Sequence, residues 1–479
     1  KGSSYYNPKK HPNRATERRN IVLHNMLIMG KISQDEYDKA IKQPLGVVKT
    51  PTIAKPRFPD FFDVVSRELR EYYKDSDLRG AGLKIISTLD PIAQMSADKA
   101  ISEHLNKKSN KNKNLQGALV SADPATGELV AIVGSASDFT GFNRAIDSKR
   151  QVGSLLKPII YMTAIQSGKY HWATPIKDEP IAHLVGGKSW TPKNYVGISH
   201  GDVPMLSALA NSYNQAAVNV GMDFGVDVFV KQLRQLGVQG DIPNYPSVML
   251  GAVDLSPMDM LGVYQVFAND GNHTPIHSIR QVISETGKVI QRIDDNIKSS
   301  ARIPPEVMTV TNFGLQQVVK KGTAKGMGSI GNTYQLAGKT GTTNDTRDAW
   351  FAGFSGNYVS GVWVGRDDNK PIGLTGGSGA LPIWSDYMKR LNLTPVQLNQ
   401  SSDITWLWLD GETGLLLDET CERAMYVPVL SKYAPKESSS CLDEQFLDEY
   451  TDETIGVDGN EMIDEGEVIF GNVDATEGF

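Results

Sequence analysis

The sequence predicts an α+β fold, an antiparallel sheet flanked by helices. Three observations predict it. Apolar runs bounded by turn residues come in pairs: Gly117–Gly134 reads as two strands around a Pro124/Gly127 turn, and Asp348–Phe354 with Tyr358–Val364 reads as two more around Ser355-Gly-Asn357. A helix-length stretch, Gly153–Gly168, stands between these pairs. The middle of the chain, up to Gly338, is largely helical in pattern.

In chain order, residues 1–49 read as short helices, Asn13–Leu27 and Ser33–Ile41, with Ser33 as an N-cap. The Pro-containing stretch from Pro44 to Pro59 reads as a linker. A helix near Phe61–Tyr73, a strand Gly82–Leu89 and a helix Pro91–Leu105 come next, then a solvated loop, Asn106–Asn114. Beyond the sheet segments, Ile404–Leu417 is expected to form a hairpin, and the acidic run after Cys441 to be disordered in isolation. The implied divisions are 1–49, 50–115, 116–400 and 401–479.

Composition bounds the function. With 479 residues, 40% apolar and 22% charged, the chain has room for two or three ordinary globular domains. No run approaches the ~18 apolar residues that a membrane span needs. The first residues are Lys1-Gly2, which reads as the start of a fragment whose upstream part is missing. Net charge is −6, yet residues 443–477 hold 13 Asp and Glu and no Lys or Arg. Residues 1–50 hold ten Lys and Arg against four Asp and Glu, a basic part suited to anionic lipid or a diphosphate-linked substrate. No nucleic-acid motif accompanies that charge, so no nucleic-acid partner is expected. His273 and His277 flank Pro275 with no carboxylate between them, so no catalytic metal is expected either.

Three short motifs carry the chemistry: Ser154-Leu-Leu-Lys157, Ser212-Tyr-Asn214 and Lys339-Thr-Gly341, separated by 58 and 127 residues. A serine hydroxyl needs an adjacent base. Residues three apart share a helix face, so Lys157 can be that base if burial or a second cation lowers its pKa. Lys339 is the candidate cation, and the helix N-terminus adds positive potential. A strand edge at Lys339–Thr342 lets a peptide lie against the backbone, and a backbone N–H there, with that of Ser154, can form an oxyanion hole. Taken singly the motifs are weak. Ser96-Ala-Asp-Lys99 and Ser355-Gly-Asn357 repeat two of them and read as a solvated helix face and a hairpin turn.

The conjunction resembles the signature of penicillin-binding proteins and serine β-lactamases. Gly141–Ile146, Arg150–Pro158, Leu336–Asn344 and Trp363–Asp368 resemble the transpeptidase domain of class A, bifunctional penicillin-binding proteins, most of all the 1b type of Gram-negative bacteria. The resemblance covers most of residues 1–400 and implies a DD-peptidase fold. It implies that Ser154 is acylated, that Lys157 is its base, and that Ser212 relays the proton with Lys339 beside it. It implies that Asn214 binds the peptide amide and that Lys339, Thr340, Gly341 and Thr342 form the carboxylate-binding strand. Tyr5–Pro8 and Arg18–Leu23 resemble the end of the family's glycosyltransferase domain. The part with its catalytic glutamate is absent, so glycan polymerisation is not expected of this fragment.

The function implied is peptidoglycan cross-linking by a DD-transpeptidase without cofactor. Its partners would be D-Ala–D-Ala stem peptides, β-lactams, cell-wall synthesis activators, and the membrane through an N-terminal anchor outside this sequence. Such a periplasmic location allows one disulfide between Cys421 and Cys441; the alternative is two free thiols. A serine β-lactamase is the first rival, but no Glu-x-x-Leu-Asn follows Ser212, and Tyr213 stands where those enzymes carry Asp. A DD-carboxypeptidase, with water as acceptor, and a β-lactam sensor are the others. Trp190, Tyr213, Trp350, Trp384 and Tyr387 are candidates for either groove or core.

Overall fold

The computed structural model describes residues 4–47, 56–74, 78, 82–109, 114–135, 141–185 and 187–441. The acidic run, residues 110–113 of the expected Asn106–Asn114 loop and residues 48–55 of the expected linker lie outside them, while residues 106–109 continue the helix that begins at Pro91 instead of opening the loop. The chain divides into two compact units, residues 1–59 and 60–479. The first holds the helices Pro12–Ile28 and Gln34–Lys42. Ser33 opens the second helix with a capping box: its hydroxyl accepts from Glu36 N–H, and the Glu36 carboxylate accepts from Ser33 N–H at 2.7 Å. Among the described residues, no helix is long and apolar enough to cross a membrane.

The second unit is built on a five-stranded antiparallel sheet. In chain order its strands are β1 (Gln116–Ala122), β2 (Leu129–Val133), β3 (Ala337–Thr342), β4 (Ala349–Phe354) and β5 (Val359–Gly365); across the sheet they run β3-β4-β5-β1-β2. Strands β2, β4 and β5 are buried at every residue, so they read as continuous apolar runs rather than an alternation. Helices cover both faces. Ser360 faces one layer, where its Oγ lies 3.9 Å from Met388 Sδ of the helix Ala380–Lys389. A side chain at the next residue, Gly361, would point at Pro257 in the opposite layer.

Six helices matter for the site: α1 (Pro91–Ser109), α2 (Lys157–Ser167), α3 (Met205–Asn211), α4 (Asn214–Met222), α5 (Pro257–Ala268) and α6 (Pro305–Lys320). Helix α1 packs on β2, α5 on β1 and β5, and α6 on β3, α2 and α3. The sheet ends at β3, which has a partner strand on one side only. Two of the stretches that carry the family resemblance meet beside this core. Arg144 donates through Nε and Nη2 to the two carboxylate oxygens of Asp367 at 2.8 and 2.7 Å.

The expected hairpin Ile404–Leu417 is corrected. The strand Ile404–Asp410 pairs along its whole length with Ala424–Leu430, while the expected return is one bridge, Leu409 to Leu416. The tight turn leaves three apolar residues to pair, and Leu416 also bridges Ser438, whereas the farther segment supplies seven residues and a ring contact. Trp406 and Trp408 lie 5.3 and 5.0 Å from the ring of Tyr426. Cys421 and Cys441 are joined by a disulfide in this segment.

Candidate active site

Three elements converge on one cavity. A 3₁₀ turn, Gly153–Leu156, carries Ser154 and runs directly into α2, whose first residue is Lys157. Pro158 fits there because the first turn of a helix has no use for its N–H. Gly168 ends the helix in the left-handed conformation. Between α3 and α4 the chain turns through Ser212-Tyr213-Asn214, and β3 presents Lys339 to Thr342.

The two lysines are fully buried and meet at one hydroxyl. Lys157 Nζ donates to Ser212 O at 2.5 Å, to Asn214 Oδ1 at 2.6 Å and more weakly to Ser212 Oγ at 3.3 Å. Lys339 Nζ donates to Ser212 Oγ at 2.8 Å and to Thr340 O at 3.1 Å. Burial pulls the pKa of Lys157 well down, and the neighbouring Lys339 charge pulls it further. Burial brings Lys339 to about 7. Both directions favour a neutral amine near neutral pH. Ser154 is half-buried, and among the described residues its hydroxyl accepts and donates no hydrogen bond.

Ser212 occupies the left-handed region at φ 62°, ψ 39°, which costs a non-glycine residue on the order of 1 kcal/mol or more. Ser212 and Tyr213 N–H bond Leu209 O and Ala208 O at 3.1 and 3.0 Å and hold the turn. The outcome is an Oγ aimed between two amines.

The nucleophile turn and β3 touch backbone to backbone. Thr343 N–H donates to Asp348 O, so alternation along the antiparallel ladder puts the N–H and C=O of Thr342 on the free edge. Gly153, at φ 56°, lies against that edge: a Cβ there would sit 2.5 Å from Thr342 O. A Cβ on Gly341 would meet Val152 O at 2.6 Å, and one on Gly251 would fall 2.1 Å from Gly153 O. Two buried side chains pin the same turn from outside. Tyr264 Oη donates to Leu155 O and Trp350 Nε1 to Gln151 O, each at 2.9 Å.

A cavity of about 240 Å³ opens in front, lined by Ser154, Trp190, Lys193, Asn214, Thr342 and Asn344 among others. The structure thus sorts the candidate residues. Ser154, Asn214 and Thr342 line the cavity, while Lys157 and Lys339 stand buried behind it. Thr340 is 6% exposed and its hydroxyl pairs with that of Thr323 at 2.7 Å; the Thr342 hydroxyl accepts from Gly376 N–H at 3.0 Å. Of the aromatic candidates, Trp190 lines the cavity, Tyr213 is half-buried, and Trp350, Trp384 and Tyr387 are core. The parts played by Gly153, Gly251 and Tyr264 do not emerge from the motifs. A glycine preceding the serine is the one readable signal among them, because a positive φ or a close backbone approach calls for it.

Residues 117–388 match the family described as penicillin binding protein transpeptidase domain. The chain belongs to the penicillin-binding proteins. It is 37% identical over 437 residues to penicillin-binding protein 1B of Vibrio cholerae, covering 90% of this chain and 56% of that protein. It is 38% identical over 420 residues to penicillin-binding protein 1B of Escherichia coli, covering 86% of this chain and 49% of that one. The chain therefore spans about half the length of these relatives. Among solved structures, penicillin-binding protein 1A from Haemophilus influenzae shares the fold, with a TM-score of 0.75 at 23% identity over 90% of this chain and 84% of that one. The PonA1 protein from Mycobacterium tuberculosis in complex with penicillin V gives 0.63 at 23% identity, over 71% of this chain and 95% of that one. These likenesses place the five-stranded sheet and its helices in the penicillin-binding protein fold.

Proposed function

We propose that this penicillin-binding protein is a DD-transpeptidase acting through an acyl-serine at Ser154. The observation that carries the reading is the pair of buried lysines bridged by Ser212 Oγ behind a half-buried serine. As a neutral amine, Lys157 keeps two N–H donors for its two short bonds, to Ser212 O and Asn214 Oδ1, and has its lone pair left for the Ser154 proton. Ser154 Oγ then attacks the carbonyl between the two D-Ala residues of a stem peptide. The C–N bond breaks, the proton passes through Ser212 Oγ to the leaving amine, and free D-Ala departs. An amine of a second stem peptide loses a proton by the reverse route and takes the acyl group, restoring the serine hydroxyl.

The N–H groups of Ser154 and Thr342 form the oxyanion hole in this reading, because Gly153 brings the nucleophile turn onto the edge strand. Asn214 takes the peptide amide, and Thr342 with Lys339 and Thr340 takes the terminal carboxylate. A β-lactam acylates the same serine. Among the described residues, none that lines the cavity is Asp or Glu, so no carboxylate there stands ready to activate a deacylating water. That favours a long-lived acyl-enzyme over a β-lactamase. Water as acceptor, giving carboxypeptidase activity, belongs to the same chemistry as a side reaction.

We further assign residues 116–400 to the transpeptidase domain and residues 1–49 to the end of a glycosyltransferase domain, in a periplasmic protein anchored in the inner membrane. Incubation with a fluorescent penicillin, then peptide mapping, tests the central claim. Label on the Ser154 peptide is expected, with none in Ser154→Ala. Label elsewhere, or label that persists in that variant, overturns it, and many turnovers per second point to a β-lactamase.

A further inference from the structure

A buried polar network outside the three motifs reaches the same lysine. Asp178 closes the strand Pro175–Asp178 and is fully buried. Its Oδ2 accepts from Asn194 Nδ2 at 2.7 Å and His200 N–H at 3.1 Å, and pairs with His200 Nδ1 at 2.6 Å; its Oδ1 accepts from Ala216 N–H at 3.2 Å. Asn194, 6% exposed, turns Oδ1 to the N–H groups of Asn214 and Gln215 at 2.7 and 3.2 Å.

These are the first N–H groups of α4, and Tyr213, the residue before them, gives no side-chain cap. The helix is capped instead by a strap 20 residues upstream. The same strap grips the rest of the turn. The His200 ring stacks on Tyr213, centroids 4.0 Å apart and 12° from parallel. Asn214 Nδ2 donates to Lys193 O at 2.7 Å, which leaves its Oδ1 facing Lys157. An unbroken path of hydrogen bonds runs from Asp178 through Asn194 and Asn214 to Lys157.

We propose that Asp178 and Asn194 are positioning residues of the acylation site, fixing the Ser212–Asn214 turn so that its oxygens hold Lys157 toward Ser154. This deepens the proposed role of Ser154 and rests on it. The arrangement has an electrostatic consequence. Asp178 raises the pKa of Lys157, against the lowering by burial and by Lys339. The other titratable groups facing this pair are His200 and Tyr213 on the strap side and Tyr161 on α2. Burial, with Asp178 adding to it, keeps the Tyr161 hydroxyl protonated.

The test uses the full chain and the pH dependence of acylation by a fluorescent penicillin, after the wild type has been confirmed to label at Ser154. Failure at that first step overturns the assignment of Ser154 itself and is distinct from any result with the variants. Asn194→Ala is expected to slow acylation about tenfold at the plateau pH. Asp178→Asn removes the anion and is expected to move the acid limb down by about half a pH unit or more. His200→Phe keeps a ring over Tyr213 but frees the carboxylate of one partner, so the limb is expected to move up. Opposite shifts support the proposal, because a merely structural role lowers the folded fraction without moving the midpoint. Wild-type rates and midpoints in folded variants overturn it. Should Asp178→Asn and Asn194→Ala fail to fold, the part-exposed His200→Phe decides alone, and an unmoved midpoint overturns the proposal.

Discussion

Replacing Lys339 with methionine should stabilise the protein at low pH while removing its chemistry. The ammonium of Lys339 is fully buried, and burial lowers its pKa from 10.5 to about 7. Holding the charged form in that site therefore costs roughly 5 kcal/mol at pH 6, at about 1.4 kcal/mol per unit. Two hydrogen bonds, to Ser212 Oγ and Thr340 O, return roughly 1 kcal/mol each. Methionine fills similar volume with neither charge nor bonds, so K339M should be about 2–3 kcal/mol more stable than wild type at pH 6. The sign of the pH dependence is fixed by linkage. Between about 7 and 10.5 the unfolded wild type binds a proton that the folded state has released, so wild-type stability rises with pH across that window. The advantage of the variant should shrink by about 2 kcal/mol from pH 7 to pH 9. Urea unfolding of both proteins at pH 6, 7 and 9 measures this, with penicillin acylation measured alongside. Acylation should fall sharply at pH 7, because Ser212 Oγ loses the Lys339 donor that holds it on the proton path. A stability difference that stays constant across this range, or a variant less stable at pH 6, would refute the reasoning.

The same geometry sets the outcome of other substitutions. Gly153→Ala places a Cβ 2.5 Å from Thr342 O at a φ of 56°, so it should cost about 1–3 kcal/mol in urea unfolding and slow acylation at least about a hundredfold. Thr342→Val removes the hydroxyl of a cavity-lining residue and should slow acylation by penicillin, a carboxylate, by about 10- to 100-fold. Thr340→Val, whose hydroxyl pairs with Thr323, should slow it less; equal effects would contradict the assignment of Thr342 to the carboxylate. Replacing Cys421 and Cys441 together by serine opens a loop of 20 residues worth roughly 3 kcal/mol in the chain-entropy model. Limited proteolysis should then cut within residues 404–441 while the acylation rate stays at the wild-type value.

Much of the fold is legible in the sequence because its signals are local. Strand runs such as Val359–Gly365 are marked by β-branched and aromatic residues and by the Ser355-Gly-Asn357 turn. The hairpin expected at Ile404 fails because the sequence shows a turn and apolar residues after it, but not which distant segment offers the longer partner. The decoys are separable for the same local reason. Lys99 of Ser96-Ala-Asp-Lys99 lies exposed on α1 beside Glu103, at 3.7 Å, although Ser96 is buried and not on the solvated face expected of it, and Asn357 accepts from Ser355 Oγ in its own hairpin turn.

The sequence by itself determined which side chains could do acyl transfer and in what local setting: a serine opening a helix, a lysine one turn on, and a Lys-Thr-Gly strand. Those are matters of short-range sterics and periodicity, readable over a few residues. The tertiary structure decided the rest. It made burial, ahead of the second cation, the main cause of the lowered Lys157 pKa. It placed Thr342 in the cavity and Thr340 behind it, and set Gly153 against the strand edge. It drew Asp178 and Asn194 into the support of a turn that carries none of their sequence signature. Each of these depends on sheet register and on desolvation by residues far apart in the chain, which no local pattern encodes.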